Sequence, residues 1–189
     1  LHIDNPEFRA DALKTISQSV VKINTMSSRL ALLNRKVELM LKETDINDLL
    51  KIAVADAKKF VKTSIAQNFD PNLPGMQIDQ EQLYKVLENL LMNAYDAAGP
   101  EGQITVSSHL KNNWAVIAVA DNGCGMSRAF IEKRLFRPFQ TTKKQGMGIG
   151  LYHCKTIVDA HGGKLNVESE EGKGTTFEIL LPVKKSEED

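Results

Sequence analysis

The sequence predicts an α+β fold: a two-layer sandwich in which helices cover one face of a mixed, mostly antiparallel sheet, preceded by one long helix. The pattern of residues 103–110 and 114–120 predicts a pair of strands across residues 111–113, and residues 164–169 and 175–182 predict a final strand pair. Stretches with apolar residues at steps of three and four separate these pairs and predict helices. Helices and strand pairs in this order favour the α+β class.

The N-terminal stretch, residues 6–42, is predicted to form one long helix. Asn5 can cap it, and Pro6 suits its first turn. Its apolar residues recur at steps of three and four: Ala12, Leu13, Ile16, Val20, Ile23, Met26, Leu30, Leu33, Val37 and Met40. A helix that is apolar on one side needs a partner. We favour a bundle with another chain over packing on its own domain, because no second long helix is visible.

The later elements follow from caps, turns and periodicity. In chain order they are a helix over 46–61, a strand over 65–69, a turn over 70–75, a helix over 79–98, the strand pair 103–110 and 114–120, a short helix over 127–134, a helix over 151–160, and the strand pair 164–169 and 175–182. Asp79 caps the central helix with Gln82 at the capping-box position, and Gly99-Pro100 ends it. Residues 184–189 are charged, and we expect a disordered tail.

Composition excludes several functional classes. The 189 residues include 24 basic and 24 acidic side chains, which argues against a broad nucleic-acid or membrane surface. No apolar run is long enough to span a bilayer, no signal peptide is visible, and Cys124 and Cys154 make no disulfide or metal framework. We therefore expect a cytoplasmic domain that contacts neither nucleic acid nor membrane. Because the chain lacks an initiating Met, we also expect a longer parent protein, whose membrane anchoring the sequence leaves open.

The run over residues 136–151, FRPFQTTKKQGMGIGL, is the first candidate binding site. Gly146, Gly148 and Gly150 allow main-chain N–H groups to approach an anion, and the helix that follows presents its positive end to the same anion. The run is neither a Walker A loop nor a dinucleotide fingerprint. A flexible hinge is the alternative.

Two amides on the central helix form the second candidate site. Asn89 and Asn93 stand four residues apart, on one face, among apolar residues. Amide oxygens are neutral hard ligands of the kind that Mg²⁺ prefers. The alternative is a pair of surface amides or caps.

Asp121 follows a strand directly and opens the run Asp-Asn-Gly-Cys-Gly, the third candidate. A carboxylate at a strand end can accept a hydrogen bond from the exocyclic amine of adenine, whereas guanine would present a carbonyl there. Taken alone, Asp-Asn-Gly is more often a plain turn. The later run over 172–177, with Gly172 and Gly174, is by default a hairpin turn.

The order of these motifs resembles the ATP-binding domain of sensor histidine kinases. Asn-x-x-x-Asn-Ala, Asp-x-Gly-x-Gly, Phe-x-Pro-Phe-x-Thr-Thr-Lys, Gly-x-Gly-x-Gly-Leu and Gly-x-Gly-Thr follow one another over residues 46–183. Histidine kinases belong to the GHKL group, together with gyrase B, MutL and heat-shock chaperone ATPases. The resemblance implies the GHKL (Bergerat) ATP-binding fold over residues 44–183, after a partial dimerisation hairpin over residues 1–43.

The resemblance also implies roles for single residues. Asn93 would ligate Mg²⁺, Asp121 would select adenine, and Asn89 stands where hydrolysing relatives keep a glutamate base. The other implied contacts to ATP come from the pocket floor (Gly123, Gly125), the lid (Thr141, Thr142, Lys143, with Lys144 as the solvated alternative to Lys143), the cradle (Gly146, Gly148, Gly150, Leu151) and Thr176, with Thr175 as its alternative. Phe136 and Phe139 match the family's F-box, either as core residues or at a lid hinge.

The implied activity is transfer of the γ-phosphoryl group of Mg-ATP to a histidine, with Asn89, Asn93 and Lys143 in the catalytic set. The acceptor would lie on a dimerisation hairpin, upstream of residue 1, and a response-regulator aspartate would receive the group next; the parent protein would be a homodimer. His2 lacks the acidic neighbour of an acceptor, and we expect structural or surface roles for His109, His153 and His161. The alternatives are a gyrase-, MutL- or chaperone-class ATPase, and a nucleotide-binding interaction module.

Overall fold

The computed structural model of the chain describes residues 8, 11–13, 15–17, 19–20, 37–141 and 148–183. It divides into two compact units, Leu1–Lys36 and Val37–Asp189. The second unit contains, in chain order, β1 (Lys42–Thr44), α1 (Ile46–Ala57), β2 (Ser64–Phe69), β3 (Met76–Ile78), α2 (Gln80–Ala98), β4 (Gln103–Lys111), β5 (Trp114–Asp121), α3 (Arg128–Lys133), α4 (Gly150–Ala160), β6 (Lys164–Glu170) and β7 (Gly174–Pro182).

The described residues of the first unit are helical, as predicted for this stretch. The hydroxyl of Thr15 donates to the carbonyl of Asp11, and that of Ser19 donates to the carbonyl of Thr15. The large apolar side chains described there are all exposed: Phe8, Leu13, Ile16 and Val20. This exposed apolar stripe is the surface for which the sequence predicts a partner.

The predicted end of the long helix, near residue 42, is wrong. Residues 37–41 are irregular, and Lys42–Thr44 forms β1, which pairs antiparallel with β3. The backbone N–H of Met40 donates to Oδ2 of Asp79 over 2.9 Å. Strand pairing and this bond satisfy backbone groups that a helix would have used internally, so extended structure replaces the last predicted turns.

The main sheet has five strands in the order β2-β4-β5-β7-β6. Strands β2 and β4 are parallel, and the other neighbours are antiparallel, which confirms a mixed, mostly antiparallel sheet. Alternate residues of β5 and β7 enter the core in register, with Ile117 opposite Ile179 and Val119 opposite Phe177. Asp121 continues the same inward row at the end of β5, because side chains two residues apart share a face.

Helix α2 lies at the centre of the helical layer and presents its apolar side to the core: Leu83, Val86, Leu87, Leu90, Leu91 and Ala94. The predicted cap is present, since the backbone N–H of Gln82 donates to Oδ1 of Asp79 over 3.0 Å. Burial opposes ionisation of Asp79, but backbone N–H groups of Gln82 and Met40 outweigh it and lower the pKa of that carboxyl. The Asp79 carboxylate therefore caps α2 and also holds the backbone at Met40, near the start of the second unit.

Most predicted elements are confirmed to within one or two residues at each end. The exceptions, besides the end of the long helix, are α1, which ends at Ala57 rather than near residue 61, and the unpredicted two-stranded sheet of β1 and β3. Strands of three residues are too short for alternation to reveal them. In the part of the chain that the structure describes, no helix is both long and apolar enough to cross a membrane.

Candidate functional site

A cavity of about 790 Å³ opens beside α2, at the end of β5. One wall comes from α2 (Asn89, Met92, Asn93, Asp96, Ala97), and the rest from Asp121, Cys124, Gly125, Met126, Phe130, Leu135, Gln140, Thr141, Gly148, Ile149, Gly150, Leu151, Thr175 and Phe177. The structure thus brings three separate predicted motifs around one space: the paired amides, the strand-end aspartate and the glycine run.

The paired amides of α2 contact each other. Nδ2 of Asn93 donates to Oδ1 of Asn89 over 3.0 Å, and both side chains are half-buried. Because Nδ2 of Asn93 faces Asn89, Oδ1 of Asn93 points away from Asn89. Among the described residues no group of three or more His, Cys, Asp or Glu could hold a metal ion. A neutral amide oxygen with no carboxylate cluster fits Mg²⁺ that keeps waters and binds chiefly through phosphates.

Gly150 begins α4 directly against Asn89. A Cβ atom at Gly150 would lie 2.8 Å from Oδ1 and 2.9 Å from Cγ of Asn89, and closer still to Nδ2. A larger residue at this position would therefore require the Asn89 amide to move away from the start of α4. The N-cap residue, Ile149, makes no side-chain capping bond, so the positive end of α4 reaches the cavity without a side-chain cap. Leu151, in the first turn, also lines the cavity.

Asp121 lies at the other end of the cavity. Its Oδ1 accepts from the backbone N–H of Gly123 over 2.9 Å. Burial raises the pKa of the Asp121 carboxyl, against the opposing effect of backbone N–H groups of Gly123 and Thr175. A desolvated carboxylate at the end of a strand is a strong acceptor for a ligand that brings its own donor.

The runs Asp-x-Gly-x-Gly (residues 121–125) and Gly-x-Gly-Thr (residues 172–175) pack against each other beside Asp121. Gly125 and Gly174 have φ angles of +63° and +106°. A Cβ at Gly174 would lie 2.8 Å from the carbonyl carbon of Asp121, and one at Gly125 would lie 2.7 Å from that of Glu170. Close backbone packing, rather than phosphate binding, thus explains why Gly174 is glycine, and the hairpin interpretation of residues 172–177 is confirmed.

Ser169 joins the same two loops by side-chain bonds. Its Oγ accepts from the backbone N–H of Met126 over 2.8 Å and donates to the carbonyl of Gly174 over 2.9 Å. The N–H of Gly172 also donates to the carbonyl of Cys124 over 2.8 Å. The loop that follows Asp121 is therefore held by the hairpin between β6 and β7.

Gly123 does not line the cavity, although the resemblance assigns it to the pocket floor. It packs against the end of α2, where a Cβ would lie 2.7 Å from the backbone nitrogen of Ala98. The next residue, Cys124, donates its N–H to the carbonyl of Ala97 over 3.3 Å. The role of Gly123 is thus to bring the Asp121 loop onto α2.

Thr176 lies outside the cavity, and the alternative, Thr175, lines it. Thr175 pairs with Asp121 across β5 and β7 and shares its inward face, whereas Thr176 pairs with Ala120 and faces the other way. Thr175 is buried and bonds through its hydroxyl to Ser169 over 2.9 Å.

The glycine run is described at its two ends only. Thr141 and Gly148 line the cavity, and the N–H of Phe139 donates to the carbonyl of Gly148 over 2.7 Å. Phe139 and Gly148 have φ angles of +65° and +64°. Phe136 packs against the core, as one of the two roles considered for it requires. The predicted contacts at Thr142, Lys143 and Gly146, with the alternative at Lys144, lie outside the described residues.

Several cavity residues were not predicted, notably Met92, Asp96 and Ala97 on α2. They stand three, seven and eight residues after Asn89, so helical spacing alone could have found them. The described histidines lie outside the cavity lining. His161 accepts the backbone N–H of Asp79 over 3.0 Å, and burial, with Lys85 second, lowers the pKa of His153.

Comparisons with known proteins show the family of the chain. The profile of the family described as histidine kinase-, DNA gyrase B-, and HSP90-like ATPase matches residues 78–185. The chain is 34% identical over 182 residues to the sensor histidine kinase ZraS of Escherichia coli (strain K12), and the match covers 93% of this chain and 38% of ZraS. The chain therefore spans well under half of the length of this relative.

Solved structures of histidine kinases are also similar to the chain. The catalytic domain of the histidine kinase ThkA, nucleotide-free, superposes with a TM-score of 0.68 at 29% identity, over 75% of this chain and 95% of that domain. The complex of ThkA with the response regulator protein TrrA gives a TM-score of 0.72 at 22% identity, over 97% of this chain and 54% of that one, which shows the fold alone.

Proposed function

Because the chain belongs to the histidine kinase-, DNA gyrase B-, and HSP90-like ATPase family, we propose that it serves as the ATP-binding catalytic portion of a sensor histidine kinase. The observation that carries the proposal is the amide pair of α2 at one end of a cavity whose other end holds Asp121. A nucleotide that fills this cavity brings its base to one end and its phosphates to the other.

The base would lie at Asp121. The carboxylate accepts the exocyclic amine of adenine, and the guanine carbonyl at the same place would leave two acceptors facing each other. Thr175 supplies the neighbouring hydroxyl. These groups favour ATP over GTP.

The phosphates would lie at the amide pair and the first turn of α4. The positive end of that helix attracts anions, and Gly148 and Gly150 leave room for them. Asn93 would hold Mg²⁺ through its amide oxygen, and Lys143 is proposed as a further phosphate contact. When bound, Mg²⁺ neutralises the charge of the phosphates. Phosphoryl transfer needs mainly such positioning and neutralisation.

Asn89 cannot activate a water molecule to attack the γ-phosphate. An amide cannot take a proton from a water molecule as a carboxylate base does, and Oδ1 of Asn89 already accepts from Asn93. The cavity therefore holds ATP for a nucleophile that arrives from outside. We propose that this nucleophile is a histidine on a dimerisation hairpin, to which the first unit belongs, and that the parent protein is a homodimer.

The phosphohistidine would then pass its phosphoryl group to an aspartate of a response regulator. The ThkA–TrrA complex, a similar kinase with its response regulator, supports this kind of partner. ATP and such regulators are both found in the cytoplasm, so the domain is proposed to work there.

A label-transfer experiment tests the proposal. The chain is mixed with γ-labelled ATP, Mg²⁺ and a separately prepared hairpin from the parent protein, with Asn93→Ala as the inactive control. We expect acid-labile label on a hairpin histidine and little free phosphate. Rapid release of phosphate without labelled hairpin would favour an ATPase of the gyrase or chaperone class. Binding of ATP with neither product would favour an interaction module.

A further inference from the structure

Asp96 is a cavity residue to which neither the base nor the phosphates assign a role. It lies on α2, three residues after Asn93, and its exposed side chain lines the cavity. Since residues three or four apart share a helix face, Asp96 stands on the same face as the amide pair.

The position of Asp96 along α2 lies between the two ends of the cavity. At a rise of 1.5 Å per residue, Asp96 comes about 4.5 Å after Asn93 along the helix axis. The next residue, Ala97, accepts the N–H of Cys124 over 3.3 Å and so marks the level of the Asp121 loop. A nucleotide with phosphates at Asn93 and its base at Asp121 brings its sugar to the level of Asp96.

The position of Asp96 near the C-terminal end of α2 indicates which part of a ligand can lie beside it. Asp96 lies in the last turn of α2, where the negative end of the helix dipole disfavours phosphate. A neutral group that donates hydrogen bonds suits this position, and the hydroxyl groups of a ribose are such donors.

We propose that Asp96 is a specificity-determining residue whose carboxylate accepts a hydrogen bond from a ribose hydroxyl of the bound nucleotide. The proposal rests on the proposed function, because the direction of the nucleotide follows from Asn93 and Asp121. It assigns to this chain a selection for ribonucleotides over deoxyribonucleotides.

Equilibrium binding of ATP, 2′-deoxy-ATP and 3′-deoxy-ATP, each with Mg²⁺, tests the proposal on the whole chain. The variants are Asp96→Ala and Asp96→Asn, and the control is Glu88→Ala, an exposed residue of the same helix. We expect the parent and the control to bind at least one deoxynucleotide about tenfold more weakly than ATP, the loss typical of one hydrogen bond to a charged group. Asp96→Ala should bind all three nucleotides with similar affinity, and Asp96→Asn should fall between.

Three results would overturn the proposal. The parent protein binds ATP and both deoxynucleotides equally; Asp96→Ala weakens all three by the same factor; or Asp96→Ala raises the Mg²⁺ concentration needed for binding, which would make Asp96 a metal contact. In each of these the parent still binds Mg-ATP, so the proposed function stands. If the parent binds no nucleotide, the proposed function fails together with this inference.

Discussion

Replacing Gly150 by alanine should disrupt the contact between α4 and the amide pair. The new Cβ would lie 2.8 Å from Oδ1 and 2.9 Å from Cγ of Asn89, well inside van der Waals contact. Overpacking of this kind costs about 1–3 kcal/mol, and the preference of helices for Ala over Gly returns about 0.5–1 kcal/mol. We expect a net loss of about 1–2 kcal/mol, or a fall of about 2–8 °C in Tm, and weaker Mg-ATP binding.

A double-mutant cycle identifies the cause. Thermal unfolding is measured for the parent, Gly150→Ala, Asn89→Ala and the double variant. Asn89→Ala alone should cost about 1 kcal/mol, for the lost bond to Asn93. In its background Gly150→Ala should be neutral or stabilising, because the atoms it would overlap are gone, giving a coupling energy of about 1–3 kcal/mol. If Gly150→Ala costs the same in both backgrounds, the close approach of Gly150 to Asn89 is not the reason for this glycine.

Three further predictions concern the other end of the cavity and its support. Asp121→Asn should bind ATP at least about tenfold more weakly. Unchanged ATP affinity would contradict the adenine assignment. Burial raises the pKa of the Asp121 carboxyl above 3.8, so the stability that this group contributes to the native state is lost as pH rises through the raised pKa. At pH 7 Asp121→Asn should therefore unfold at a temperature no lower than the parent protein. Ser169→Ala leaves the N–H of Met126 without its acceptor and should lower the free energy of unfolding by about 1–3 kcal/mol in urea titrations; a change below about 0.5 kcal/mol would show that the loop does not need this bond. Cys124, which is exposed in the cavity wall, should react with iodoacetamide at pH 8, and more slowly when Mg-ATP is present. Burial raises the pKa of the Cys154 thiol to about 12 and should keep that thiol unreactive. Equal labelling of both thiols by mass spectrometry would contradict the described burial.

The elements that the sequence predicts well have long local patterns. Helix α2 has nineteen residues, a capping aspartate and a terminating glycine, and each of these signals is local. The spacing of Asn89 and Asn93 follows directly from its period. Asp121 was predictable for a similar reason, since it is the first charged residue after a continuous apolar run and ends a strand of eight residues.

What the sequence does not predict depends on contacts between distant residues. Strands β1 and β3 exist because residues 42–44 and 76–78 pair, and Met40 meets Asp79 across 39 positions. The choice of Thr175 over Thr176 depends on the register between β5 and β7, which no local pattern fixes. The glycines show the same limit, because a glycine needed for a close approach to Asn89 looks in sequence like one needed for an anion.

A crystal structure of the chain with Mg²⁺ and a non-hydrolysable ATP analogue tests the central claim, the direction of the nucleotide in the cavity, most directly. We expect the exocyclic amine of adenine within hydrogen-bond distance of the Asp121 carboxylate, the ion on Oδ1 of Asn93, and the phosphates at the first turn of α4. Phosphates beside Asp121, or a nucleotide bound elsewhere with the cavity empty, would contradict it.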